Sequence, residues 1–170
     1  MLHTLRLLIA LLFITTGCYA QKLKTYVHPT DGFEIGVPKK WVIEKPKGDG
    51  MVMLVTGPRY NKHFVKDGTI MIESYEAGYF SLEELYKDDL ETFRNAGYEI
   101  QEVDDIIING HLFKYYYHTN QAGALVNKSI IFFTVKNKKL YRFTMGAVEQ
   151  NFDELEPLFR RVAETIKLND

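Results

Sequence analysis

Three features of the 170-residue sequence predict an α+β fold, an antiparallel β-sheet with helices packed on it. Two segments, around 82–93 and 152–166, carry apolar residues at helical spacing. Most of the remainder alternates, or runs apolar, over lengths suited to strands. Asn109-Gly110 divides two such runs, the short-range signature of a hairpin closed by a type I′ turn.

The first 20 residues stand apart from this pattern. A positive start (the free amine, His3, Arg6), an apolar run from Leu7 to Ile14 and small residues before Gln21 make a secretory signal peptide, too short to span a bilayer. Two processing routes are open. Cleavage after Ala20 uses Cys18 and Ala20 as the small residues of an A-x-A-like site and is favoured. The alternative is lipidation of Cys18, because Thr16-Gly17-Cys18 looks like a bacterial lipobox, although Thr15 stands where such boxes usually carry Leu. Removing 20 of 170 residues leaves 150, one domain over 21–170 with enough chain for a single core. Cys18 is the only cysteine, so a chain starting at Gln21 has neither disulfides nor thiolate metal sites. The expected location is therefore exported, periplasmic or secreted, with membrane anchoring through Cys18 as the alternative.

Along the mature chain, Phe33, Ile35 and Val37 alternate with Glu34 and Gly36 in a half-buried strand stopped by Pro38. Trp41 to Glu44 resumes as a strand after a link short enough for a hairpin or a tight corner. Met51 to Val55 is apolar throughout, as a central strand covered on both faces would be. Gly57 to Gly68 reads as the longest loop, and Thr69 to Tyr75 as the next strand. Ser81-Leu-Glu-Glu84 is a capping box, followed by Leu82, Leu85, Tyr86, Leu90 and Phe93 on one helical face and a glycine stop at Gly97. After the hairpin at Asn109-Gly110, turns at Gln121-Ala-Gly-Ala124 and Asn137-Lys138 extend an antiparallel meander to Val148. Leu155, Leu158, Phe159, Val162, Ala163 and Ile166 mark a closing helix from Phe152. Pro157 is expected in its first turn, with Asp153 or Glu156 as cap.

Asp31-Gly-Phe-Glu-Ile-Gly-Val-Pro-Lys-Lys-Trp41, and the run Leu140-Tyr-Arg-Phe-Thr144 followed by Phe152, Pro157, Phe159 and Ile166, resemble the PsbP/Mog1-like superfamily, including bacterial exported PsbP-like and DcrB-like envelope proteins. The resemblance implies a three-layer α/β/α sandwich used mostly as a non-catalytic accessory or adaptor. It rests on packing residues, so no functional residue is carried over. The short stretch before the Gly-Phe corner leaves little room for a long N-terminal docking arm, which argues against a photosystem role.

Catalytic signatures are absent from the sequence. There is no Gly-x-Ser-x-Gly, and Ser74, Ser81 and Ser129 read as strand, cap and strand residues. Gly32 and Gly36 lack the following helix that a phosphate loop needs. His28, His63, His111 and His118 form no H-x-H or H-x-x-x-H pair, and His111 and His118 fall on opposite faces of one strand, so no metal or cofactor is expected. The carboxylate pairs Asp88-Asp89 and Asp104-Asp105, and Glu73 and Glu76 flanking a strand end, read as solvated faces. A formal charge of -1 gives no sign of a basic groove, so nucleic acid is not an expected partner. Candidate binding residues are Arg59, Tyr60 and His63 in the central loop, and Tyr116 and His118 in the Tyr115-Tyr-Tyr117 strand. The expected function is a non-catalytic accessory protein of the bacterial envelope with a protein partner. The alternative is a carrier or sensor of a small apolar ligand held beside Tyr115, Tyr117, Phe132 and Phe143.

Overall fold

The computed structural model describes residues 21–60, 65–66 and 68–169. The signal segment, including Cys18, and His63 lie outside the described residues. Strands β1 (Leu23–Val27), β2 (Phe33–Pro38), β3 (Val42–Glu44), β4 (Met51–Thr56), β5 (Arg59–Tyr60), β6 (Val65–Lys66) and β7 (Thr69–Glu76) precede helix α1 (Leu82–Asn95). Strands β8 (Glu99–Ile108), β9 (His111–Ala122), β10 (Leu125–Lys136) and β11 (Lys139–Val148) follow, then helix α2 (Glu149–Ala163) and β12 (Lys167–Leu168).

The main sheet has the antiparallel order β3-β4-β7-β11-β10-β9-β8. The consecutive meander forms as its turns dictate. Asn109 and Gly110 take φ of 47° and 82°, and Asn137 and Lys138 take 52° and 60°, the left-handed pairs that a type I′ turn requires. β2 leaves through Pro38 into a second sheet, β1-β2-β12, so the link to β3 is a corner rather than a hairpin.

The alternation of each strand divides the core in two. One face of the main sheet (Val55, Ile72, Phe113, Ile130, Phe132, Phe143, Met145) packs on α2 through Phe152, Phe159 and Val162 and on the small sheet through Phe33 and Ile35. Trp41 closes this layer edge-to-face on Phe159, with ring centroids 6.3 Å apart. Each fully buried Phe or Ile here contributes about 1.5–3 kcal/mol by leaving water. The other face presents Tyr116, Ile131 and Phe133 to Tyr86 and Leu90 of α1. The layers are therefore α1, the main sheet, and α2 together with the small sheet, which is the predicted α+β sandwich.

Helix α1 has the predicted ends. Ser81 Oγ accepts from the Glu84 amide at 3.2 Å, the Glu84 carboxylate accepts from the Ser81 amide at 2.8 Å, and Gly97 follows with φ 83°. Three expectations need correction. Helix α2 begins at Glu149 rather than near Phe152, with Val148 at the cap position and no side-chain cap, so Pro157 lies inside it. The carbonyl of Asp153 thereby loses its intrahelical donor. The apolar stripe accounts for this, because burying Phe152 against Tyr117 and Phe159 needs helix before the proline. Within Gly57 to Gly68, β5 and β6 pair as a short hairpin. Strand β4 is covered less than its apolar run suggests, since Met51, Val52 and Leu54 are half-buried.

Candidate functional site

Helix α1 covers only part of its sheet face. Along β10 the covered positions are Phe133 and Ile131, and the next two on the same face are Ser129 and Asn127. Across the sheet from these lie His118 and Asn120 of β9 and Gly146 and Val148 of β11, by the registers Ser129↔His118, Asn127↔Asn120, Ser129↔Gly146 and Asn127↔Val148. Phe93 at the end of α1 and Tyr98 just beyond it form a wall. The result is an open cleft of about 630 Å³, also lined by Thr69, Met71, Glu73 and Thr144. Gly146 keeps the floor low, because a Cβ there would meet Ser129 Oγ at 2.3 Å.

The boundary between helix and cleft is ionic. Arg142 of β11 donates from Nε to Glu73 Oε2 at 2.8 Å and from Nη1 to Asp89 Oδ1 of α1 at 2.5 Å. Tyr116 donates to Asp89 Oδ2 at 2.6 Å, and Tyr75 to Glu73 Oε1 at 2.9 Å. The guanidinium also lies 5.3 Å over the Phe93 ring. Glu73 and Asp89 are only 8 % and 9 % exposed. Burial works against the charge of Arg142, but its hydrogen bond to Glu73 and the charges of Asp89 and Glu73 outweigh that and raise its pKa. Burial dominates at Asp89, whose pKa is raised despite the cation beside it.

His118 sits next to this cluster, 6 % exposed, with ring centroids 4.9 Å from Tyr98, 5.1 Å from Phe93 and 6.1 Å from Tyr116. Its Nδ1 is buried and has no hydrogen-bond partner. Burial, helped by the Arg142 charge, lowers its pKa to about 4 and keeps the ring neutral near pH 7. Ser129 stands directly across from it, but the carboxylate that would orient a catalytic imidazole is missing from Nδ1.

Of the candidate binding residues, His118 lines the cleft. Tyr116 is 0 % exposed beneath α1 and serves as a partner of Asp89 rather than as a contact surface. Arg59 and Tyr60 form β5. Tyr115 and Tyr117 face the α2 side, where Tyr115 stacks on Phe132 at 5.7 Å and Tyr117 donates to Glu156 Oε1 at 2.5 Å. Phe132 and Phe143 are buried in that core as packing residues, Tyr115 is half-buried against Phe132, and Tyr117 also borders a shallow surface cleft of about 320 Å³, so the four rings do not enclose one shared pocket. The sequence reading missed Arg142, and placed Glu73 and Asp89 on solvated faces. A signal for each was present: Asp89 follows Leu82 and Tyr86 and precedes Phe93 at 3–4-residue steps on the apolar stripe, and Arg142 and Glu73 interrupt apolar strands. Among the described residues, no group of three or more His, Cys, Asp or Glu could hold a metal ion, and no helix is long and apolar enough to cross a membrane.

A seven-stranded antiparallel sheet, one helix on one face and a helix with a small sheet on the other, defines the class: this is the PsbP/Mog1-like fold. No family model and no curated protein matches the sequence. Solved structures do match. The cyanobacterial PsbP (CyanoP) of Synechocystis sp. PCC 6803 is similar at TM-score 0.65 over 91 % of this chain and 95 % of its own, with 16 % identity. LpqN, involved in cell envelope biogenesis of Mycobacterium tuberculosis, is similar at TM-score 0.65 over 88 % of this chain and 91 % of its own, with 9 % identity. The Saccharomyces cerevisiae Ran-binding protein Mog1p is similar at TM-score 0.63 over 89 % of this chain and 97 % of its own, with 10 % identity.

Proposed function

We propose that this chain is a non-catalytic, exported accessory protein of the bacterial envelope that binds another protein through the cleft beside α1. The observation that carries this reading is the state of the ionisable groups around the cleft. Arg142 is held between Glu73 and Asp89, and His118 is neutral with no carboxylate on Nδ1. The cleft thus offers amides, hydroxyls and aromatic faces for recognition, while the groups that would perform acid-base or nucleophilic chemistry are spent or uncoupled. Its volume falls in the range of a single recognition pocket, such as one that takes the anchor residues of a partner. The fold supports the same reading, since one similar structure is a Ran-binding protein.

The test is cross-linking and affinity capture of the processed chain from its own cell envelope, beside an Asn127→Trp variant that fills the cleft. One saturable partner, lost with the tryptophan, is the expected result. A chain that emerges alone, or a partner indifferent to the tryptophan, would overturn the reading. The intact mass in the same run distinguishes a start at Gln21 from a diacylglyceryl group on Cys18.

A further inference from the structure

We infer that the cleft recognises an uncharged, amide-bearing stretch of extended polypeptide, and that His118 is the residue that selects it. This rests on the protein-binding reading above and deepens it by naming the chemistry of the occupant.

The floor is a sheet face on which Asn120 and Asn127 stand directly opposite each other, one pair along from His118 and Ser129. A side-chain amide repeats the donor and acceptor of a peptide group, so cross-strand asparagines present to an extended chain what its own neighbours in a sheet would present. Thr69, Thr144 and Ser129 add hydroxyls that can donate or accept. Charge complementarity points to a neutral occupant. Among the described residues lining the cleft, Glu73 is the only formally charged side chain, and Arg142 and Tyr75 already hold its carboxylate. A cationic group would find the Glu73 carboxylate already held by Arg142 and Tyr75, and an anionic one would meet Glu73 without a free cation among the described lining residues.

His118 supplies the independent observation. It is more than nine-tenths buried, lines this cleft, and holds a buried nitrogen with no partner, a state that costs free energy until a ligand or a small ring movement satisfies it. A neutral imidazole offers one donor and one acceptor, the same pair as an amide. Tyr98 and Phe93 touch each other and both pack on the ring, which limits its rotamers, so little side-chain freedom is lost on binding.

The test uses ¹⁵N-labelled processed protein and four probes. These are the neutral peptide Ac-Ser-Asn-Gln-Ser-NH₂, its acidic analogue with Asp-Glu and basic analogue with Lys-Lys at the centre, and maltotriose as a neutral non-peptide. The neutral peptide should give saturable shifts at the Asn120 and Asn127 side-chain NH₂ groups and at the His118 ring nitrogens, with the charged analogues at least tenfold weaker. His118→Phe, which keeps the ring contacts, should lose about tenfold in affinity. Asn127→Ala, at the open side of the floor, should lose about fivefold. Equal binding of the charged peptides, shifts with maltotriose alone, no shifts with any probe, or full affinity in His118→Phe would each overturn the inference. A captured partner that Asn127→Trp loses but His118→Phe retains would remove the role of His118 and leave the protein-binding reading standing. Absence of any captured partner, with the neutral peptide still selected by His118, would do the reverse.

Discussion

Replacing Arg142 by Met removes the cation shared by two carboxylates that are 8 % and 9 % exposed, and leaves both facing each other in the boundary between α1 and the sheet. Breaking a buried pair by deleting one partner costs about 3–5 kcal/mol, because the remaining charge has lost both water and its counter-ion. For a domain of this size each kcal/mol is worth roughly 2–4 °C, so the midpoint should fall by roughly 6–20 °C. Trp41 is the only tryptophan and is buried against Phe159, so guanidinium unfolding followed by its fluorescence reads the loss directly.

The pH dependence makes the prediction specific. Burial already holds the Asp89 pKa in the folded state above its ordinary value of 3.8, and removing Arg142 removes the main influence lowering it. Between the unfolded and folded pKa the folded state binds more protons, so the stability attributable to this group falls as pH rises through that window and recovers as pH drops. The deficit of Arg142→Met relative to wild type should therefore be largest at pH 7 and shrink toward pH 4. Combining it with Asp89→Leu, Glu73→Gln and Tyr116→Phe should restore most of the loss, since the uncharged cluster has no charges left to desolvate and the carboxamide carbonyl introduced by Glu73→Gln can still accept from Tyr75. A loss below about 1 kcal/mol at pH 7, or one unchanged at pH 5, would show that water reaches the cluster and that the desolvation reasoning is wrong.

Three further outcomes are expected. His118 has a folded pKa of about 4 against 6.5, so wild type should lose about 3 kcal/mol between those pH values as the unfolded chain alone takes up the proton; the difference from His118→Phe, measured at pH 7 and pH 4, isolates that amount. Pro157→Ala should raise the thermal midpoint, because it restores the donor to the Asp153 carbonyl within α2 at an exposed position, and an unchanged or lower midpoint would mean that the proline's effect on the unfolded chain dominates. Gly146→Ala should destabilise by about 1–3 kcal/mol through its collision with Ser129, with partial recovery in the double variant carrying Ser129→Ala, whereas Tyr79→Ser, at a residue 96 % exposed, should change unfolding by less than about 0.5 kcal/mol.

What was legible in the sequence is what local chemistry determines. Ser81 and Glu84 cap a helix three residues apart, and Asn109-Gly110 and Asn137-Lys138 set their turns within two residues, so these elements followed from short windows. Alternation also placed Tyr116 on the face opposite Tyr115 and Tyr117, as the structure has it. Pro157 failed because a local rule met a non-local demand, the burial of Phe152 beneath Tyr117. The ionic cluster was hidden for a related reason. Arg142 meets Asp89 across 53 positions and Glu73 across 69, and nothing in a linear reading says that β11 inserts beside β7.

The cleft follows from a mismatch of lengths. Helix α1 has 14 residues and spans roughly 21 Å, while β9 and β10 have 12 residues each and run roughly 40 Å, so one helix cannot cover the face those strands make. A purely structural solution would place apolar residues under the helix and charges beyond it, as on a solvated sheet. The chain does something else past the end of α1. On β10 the face changes from Phe133 and Ile131 to Ser129 and Asn127, and on β9 from Tyr116 to His118 and Asn120, with the aromatic rings of Phe93 and Tyr98 kept alongside. Uncharged hydrogen-bonding groups beside aromatic faces make a poor solvated surface and a good recognition surface, since water satisfies them weakly enough for a ligand to replace it. The Arg142 cluster ties the middle of α1 to the sheet through Asp89 and holds the edge of the cleft through Glu73, so the element that leaves the cleft open also fixes its shape.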